Sequence, residues 1–138
     1  MAKSAKQVIS KSMSFRICVY PSQFDKSYFT AHCLELDIFG QDKTVEGAVG
    51  ELLQLIENQI EVCEETGAQL QFFAPPNVWQ KYERAKKAKH KLPDELIERI
   101  ISQANRHLGF VEPLNIGRRI DYIVGTKEVM DECQAALA

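Results

Sequence analysis

Between Thr44 and Gly67 the chain spells one long amphipathic helix, and this segment limits what the rest of the chain can be. Val45, Val49, Leu52, Ile56, Ile60 and Cys63 recur at three- and four-residue steps, a single apolar stripe flanked by Ala48 and Leu53. Gln54, Glu57, Asn58, Glu61, Glu64 and Glu65 form its wet side. The Thr44 hydroxyl can accept a first-turn N–H, and Glu46 suits the positive end of the helix dipole. Gly67 can take the left-handed conformation that closes a helix. A helix with one apolar face must be laid on something, and the residues before it are β-formers. Phe15 to Tyr20 alternates Phe15, Ile17 and Val19 against Arg16, Cys18 and Tyr20, which predicts a strand. Pro21 to Lys26 predicts a turn. Tyr28 to Leu36 predicts a second strand, apolar on both alternating faces, so its buried side is not assigned. Asp37 marks a bend before a short third strand, Ile38 to Gln41.

Beyond Gly67, Leu70 to Phe73 predicts one more short strand, and Pro75-Pro76 halts both helix and ladder. Asn77 can cap a helix running through Trp79, Tyr82 and Ala85. Pro93, Asp94 and Glu95 open another, with Leu96, Ile97, Ile100, Ile101 and Ala104 as its apolar side and Gly109 as its stop. Ile120 to Val124 has β character, and Thr126 caps a closing helix. The expectation is an α+β fold: a small antiparallel sheet in β-β-β-α-β order, with a mostly helical C-terminal extension. The division expected is a basic tail over 1–13, an α+β domain over 14–76 and a helical extension over 77–138 that binds DNA or dimerises.

At 138 residues, 45% hydrophobic and 26% charged, the composition is that of a globular protein. No apolar run approaches the roughly 20 residues of a membrane span. The first thirteen residues have no continuous apolar core of the kind that a secretory signal needs. The four cysteines, Cys18, Cys33, Cys63 and Cys133, form no C-x-x-C pair, so buried thiols in a reducing cytoplasm are expected rather than zinc ligands or disulfides. Net charge is only −2, yet it is unevenly distributed. From Glu35 to Glu65 the acids Glu35, Asp37, Asp42, Glu46, Glu51, Glu57, Glu61, Glu64 and Glu65 face only Lys43. From Lys81 to Lys91 the order reverses, with Lys81, Arg84, Lys86, Lys87, Lys89 and Lys91 against Glu83. Such asymmetry can steer two partners to two regions, or can simply solvate two faces.

Catalytic patterns are absent from the reading. Asp25, Glu35, Asp37 and Asp42 are the carboxylates near the strands, but two-metal chemistry needs three or four converging on metals about 3.5–4 Å apart. His32, His90 and His107 have no Ser or Cys nucleophile at a recognisable spacing and read as structural or surface residues. Trp79 and Tyr82 at helical spacing read as an apolar face rather than as base-stacking residues. No Gly-rich phosphate loop is present. The expectation is therefore a protein that is not an enzyme and has no metal or cofactor.

Residues 15 to 76 resemble the HicB-type antitoxin domain of bacterial toxin–antitoxin systems. The resemblance lies in the Tyr28-to-Asp37 strand with Cys33-Leu34-Glu35-Leu36, the Gly40-Gln41-Asp42-Lys43-Thr44 turn, Glu46 and Ala48 after the Thr, and the exit to Pro75-Pro76. Gly47 stands where the family favours Glu, which costs helix propensity without changing register. The resemblance implies a truncated ribonuclease-H-like sheet crossed by one helix, no catalysis, and a tendency to homo-oligomers. It also implies masking of a small basic RNA-cleaving toxin of the HicA type, or a solitary relative that has lost its toxin, and often repression of the operon through a C-terminal DNA-binding module. On this reading Glu35, Asp37, Asp42, Glu57 and Glu61 are the candidate partner-binding residues, since an RNA-cleaving partner must be positive. Lys91-Leu92-Pro93-Asp94-Glu95-Leu96 looks like the strand-to-helix junction of a ribbon-helix-helix. Lys86, Lys87, Lys89 and Lys91 are the candidate nucleic-acid contacts, including operator DNA; the alternative is a basic linker before a core helix. A transcriptional regulator acting through 81–101 is the second functional expectation.

Overall fold

The computed structural model describes residues 14–67, 73–107 and 120–137. The elements run β1 (Phe15–Pro21), β2 (Phe29–Cys33), β3 (Ile38–Asp42), α1 (Val45–Thr66), α2 (Pro76–Lys87), α3 (Asp94–His107), β4 (Ile120–Gly125) and α4 (Lys127–Leu137). This is an α+β fold built on one four-stranded sheet of order β3-β2-β1-β4. β1 and β2 pair antiparallel, as do β2 and β3, while β4 lies parallel to β1. The sheet is therefore mixed, not antiparallel throughout as expected. The difference arises because the fourth strand comes from Ile120–Gly125, which enters beside β1 along the same direction. Residues 70–72 of the strand expected after α1 lie outside the described residues, and Phe73 is in no strand.

Alternation along β1 divides the protein into layers. Phe15, Ile17 and Val19 join Ala31 and Cys33 of β2 against the stripe of α1, and Leu96, Ile100, Val129 and Cys133 of α3 and α4 complete the same core. Cys18 and Tyr20 face the other way and pack with Leu34, Val124 and the Val78, Tyr82 and Ala85 face of α2. Three helices thus cover one side of the sheet, and α2 covers part of the other. The chain beyond Pro76 contributes both a strand and core side chains to the sheet, so it is not an appendage on it.

The caps of α1 are as the residues predict. Thr44 Oγ1 accepts from Gly47 N at 2.9 Å, and Gly67 adopts φ 72° with its N–H donated to Cys63 O. Gly47 has a structural reason: a Cβ there would run into the Asp42 carboxylate. That carboxylate accepts from both the backbone N and the hydroxyl of Thr44, at 3.1 and 3.0 Å, and so holds the cap in place. α2 begins two residues earlier than expected: Pro75, not Asn77, holds the cap position, and Pro76 is in the first turn, where a missing N–H costs nothing. The second strand is shorter than the apolar run: it stops at Cys33, and residues 34–37 make a tight turn in which Asp37 N donates to Cys33 O. Leu34 and Leu36 are buried from within this turn. The expected stop of α3 at Gly109 and the tail over 1–13 lie outside the described residues.

Gly40 is where sheet and helix approach most closely. A Cβ at this position would sit 2.7 Å from Ala48 O and 2.7 Å from Leu52 N, both backbone atoms of α1. Backbone cannot move aside as a side chain can, so Gly40→Ala must push β3 off the helix. The expected outcome is a loss of about 1–3 kcal/mol in urea unfolding, with an unchanged denaturant slope. Thr44→Ala, which only removes the cap, is expected to cost about 1 kcal/mol.

Candidate functional site

The expected acidic site is dispersed by the fold. Glu35 is 5% exposed, and its two carboxylate oxygens accept from Arg16 N at 2.7 Å and Arg16 Nε at 2.9 Å. The pair fastens the β2–β3 turn to β1, with Glu35 buried and the Arg16 side chain half-exposed. Asp42 is committed to Thr44, as described. Asp37 has φ 52°, which Asp tolerates better than most residues, and its Oδ1 lies 2.7 Å from His32 Nε2. Along α1, Glu61 and Glu65 are exposed and Glu57 is half-buried. These three stand at four-residue steps beside Val62, which is 48% exposed. Glu46, in the first turn, reaches Arg99 of α3 at 2.8 Å and ties the two helices together.

The basic segment divides in the same way. Lys86 and Lys87 are exposed in the last turn of α2, where cations suit the helix dipole. Lys89 is exposed in the following turn with φ 60°. Lys91 forms an isolated antiparallel bridge with Val124 and an ion pair with Asp94 at 3.4 Å. Leu92 N donates to Ile123 O and Gly125 N to His90 O, so residues 90–92 border β4 of their own chain. A ribbon shared across a dimer would have to break these bonds. Lys81 is half-buried, with its ammonium 4.3 Å from the centre of the Tyr20 ring. Acid and base thus lie on opposite faces of one sheet: the α1 row outside the main core, the α2 cations outside the second.

The sequence reading did not find a buried side-chain chain on the α2 face. Tyr20 Oη lies 2.9 Å from His32 Nδ1, and His32 Nε2 lies 2.7 Å from Asp37. A carboxylate only accepts, so Nε2 carries a proton; in the neutral tautomer this leaves Nδ1 to accept from the Tyr20 hydroxyl. Burial pushes the Tyr20 phenol up to about 12, with Cys18 and Asp37 adding to it. The signal for this chain was the strand register, which sets Tyr20 opposite Thr30 and His32 opposite Phe39. Beside it lies a pocket of about 190 Å³, lined by Phe24, Phe39, Thr30, Gln41, Asn77 and Val78 among others. Gln41 Nε2 donates to Thr30 Oγ1 at 3.2 Å.

None of the thiols is poised for chemistry. All four are buried and free. Burial drives Cys18 and Cys33 up to about 12 and Cys133 to about 11, so the nucleophilic thiolate is scarce near neutral pH. Among the described residues no group of three His, Cys, Asp or Glu side chains is placed to hold a metal ion, and no helix is long and apolar enough to cross a membrane.

Two predictions follow from these environments. Asp37→Ala leaves the His32 donor unsatisfied and puts a Cβ-bearing residue without a polar side chain at positive φ; it is expected to cost about 1–3 kcal/mol in urea unfolding, whereas Asp37→Asn, which keeps an acceptor and tolerates that φ, is expected to cost less. The thiol pKa values are raised in the folded state, so the unfolded chain loses its protons first as pH rises. Stability should accordingly hold below about pH 9 and fall between about 9 and 12, read as a falling urea midpoint.

A scan against models of protein families, a search of curated proteins and a search of solved structures each return no match for this chain.

Proposed function

We propose that this protein is a non-catalytic binding protein of the HicB-antitoxin kind, which covers the RNA-binding face of a small basic toxin with the outer row of α1. The observation that carries this reading is the segregation of charge across the sheet. Glu57, Glu61 and Glu65 recur at four-residue steps on a helix whose other side is committed to the core. The exposed Glu61 and Glu65 are like charges at a spacing that disfavours the helix by about 0.2–0.5 kcal/mol, a cost that a cationic partner removes. Val62, exposed beside them, offers the apolar contact around which such an interface gains affinity, while the acids raise the rate of encounter. The strand–turn–helix from Tyr28 to Thr66 supports the same reading, since Gly40, Asp42, Gly47 and Thr44 form a connected structural joint in the segment that carries the resemblance.

This reading narrows the candidate surface. Glu35 is buried against Arg16, Asp37 is bonded to His32 and Asp42 to Thr44, so the contact proposed is Glu57, Glu61, Glu65 and Val62. The second reading, a regulator that binds operator DNA, draws on the exposed Lys86, Lys87 and Lys89 at the end of α2.

The decisive experiment is recovery of the tagged protein from its native cytosol with its stoichiometric partners identified by mass spectrometry. A small basic protein is expected. Glu61→Lys combined with Glu65→Lys should weaken its binding at least tenfold at 100 mM salt, with the unfolding midpoint unchanged. Absence of a basic partner, or a charge reversal that leaves binding intact, overturns the reading.

A further inference from the structure

α2 covers only part of the second sheet face. It packs over β1 and β4 through Val78, Tyr82 and Ala85, and toward β2 and β3 the same face carries the buried Thr30 and His32 beside the exposed Phe39. Polar and aromatic side chains occupy this half, with His32 opposite Phe39 and Thr30 opposite Gln41 across β2 and β3. Phe39 is 50% exposed on β3, and Phe24, from the turn between β1 and β2, is 94% exposed. Apolar surface of this size is expensive to leave in water, and both rings border the same pocket. Among the described residues no acid lines this pocket, whereas three amides do: Gln23, Gln41 and Asn77. An amide both donates and accepts, which is what the edge of an unpaired base requires.

The charge beside the pocket selects among occupants. Asn77 and Val78 open α2 at its rim, and from there the helix leads through Lys81 and Arg84 to Lys87, about 15 Å along its axis. Arg84 and Lys87 are exposed. An aromatic cleft that continues into a line of cations matches a base with its attached phosphates, better than it matches a neutral peptide side chain. We propose that this half-sheet binds single-stranded nucleic acid, seating one unstacked base against Phe24 and Phe39 while Lys81, Arg84 and Lys87 carry the phosphates along α2. The chain Asp37–His32–Tyr20 has a part in this: with His32 in its neutral Nε2–H tautomer, the Tyr20 hydroxyl donates to it and the oxygen at the pocket wall is left as an acceptor. The site is on the opposite face of the sheet from the acidic row, and the proposal does not rest on the toxin-masking reading.

The test is fluorescence anisotropy with 5′-labelled octamers of uridine and of deoxythymidine on the full chain. Binding is expected at 50 mM salt. Three phosphate contacts on a single strand predict a fall of roughly twentyfold between 50 and 200 mM. Phe39→Ala and Phe24→Ala, both on exposed side chains, should each weaken binding about tenfold with the same salt dependence. Arg84→Ala combined with Lys87→Ala should weaken it and flatten the salt dependence. Equal binding of the two octamers, or tighter binding of the RNA through its 2′-hydroxyls, is the supporting result. Glu61→Lys/Glu65→Lys, which tests the toxin interface, should not reduce strand binding. The proposal is overturned if the wild-type protein binds neither octamer at 50 mM salt, if a duplex of the same length competes equally, or if the two Phe variants bind normally. It is overturned equally if N-acetyl-tyrosinamide, and not uridine monophosphate, shifts the NMR signals of Phe39 and His32, which would make the pocket a peptide site.

Discussion

β1 lies between β2 and β4 and is buried on both faces, and the rest of the architecture answers to that. A strand with one wet side could rest on α1 alone. Here Cys18 and Tyr20 need cover as much as Ile17 and Val19 do, so a helix is required on each side of the sheet. α2 meets the second need with only three buried side chains, and the short apolar face it presents leaves the remainder of its circumference to charge. The basic character of the segment is thus compatible with its packing role: Tyr82 is wholly buried while Arg84, Lys86 and Lys87 remain in water.

The same two-sided requirement explains the separation of charge. The stripe of α1 lies over β2 and β3 and meets α3, whereas α2 lies over β1 and β4 on the other face. Each helix has its polar side turned away from the sheet, so its charge is displayed on its own side of the molecule. Where an acid falls nearer the sheet it is put to internal use: Glu35 fastens a turn to the neighbouring strand through Arg16, and Glu46 fastens α1 to α3 through Arg99. Proximity of acids in sequence therefore overstated the acidic surface.

Local physics was legible in the residues and long-range physics was not. The Thr44 and Gly67 caps, the apolar stripe of α1 and the packing role of Tyr82 depend on neighbours a few positions away, and each is found where the pattern predicts. The end of β2 was overestimated because Leu34 and Leu36 are apolar and buried, and a buried turn reads like a strand. The burial of Glu35 needed knowledge of Arg16, nineteen positions earlier. The pocket required the register of three strands at once, since Tyr20, His32 and Phe39 have no shared motif. The parallel placement of β4 carries no signature in its own six residues.

That parallel pairing has a consequence for how the protein is made. Ile17 and Cys18 align with Ile123 and Val124, more than a hundred residues later in the chain. A ribosome adding about 5–20 residues per second leaves β1 without that neighbour for several seconds or longer after its own residues have been joined. Through this interval the β2–β3 hairpin and α1 can assemble on one flank, while the other flank of β1 remains an open template for foreign strands. Nascent chains of this design would gain from a chaperone until the last strand arrives.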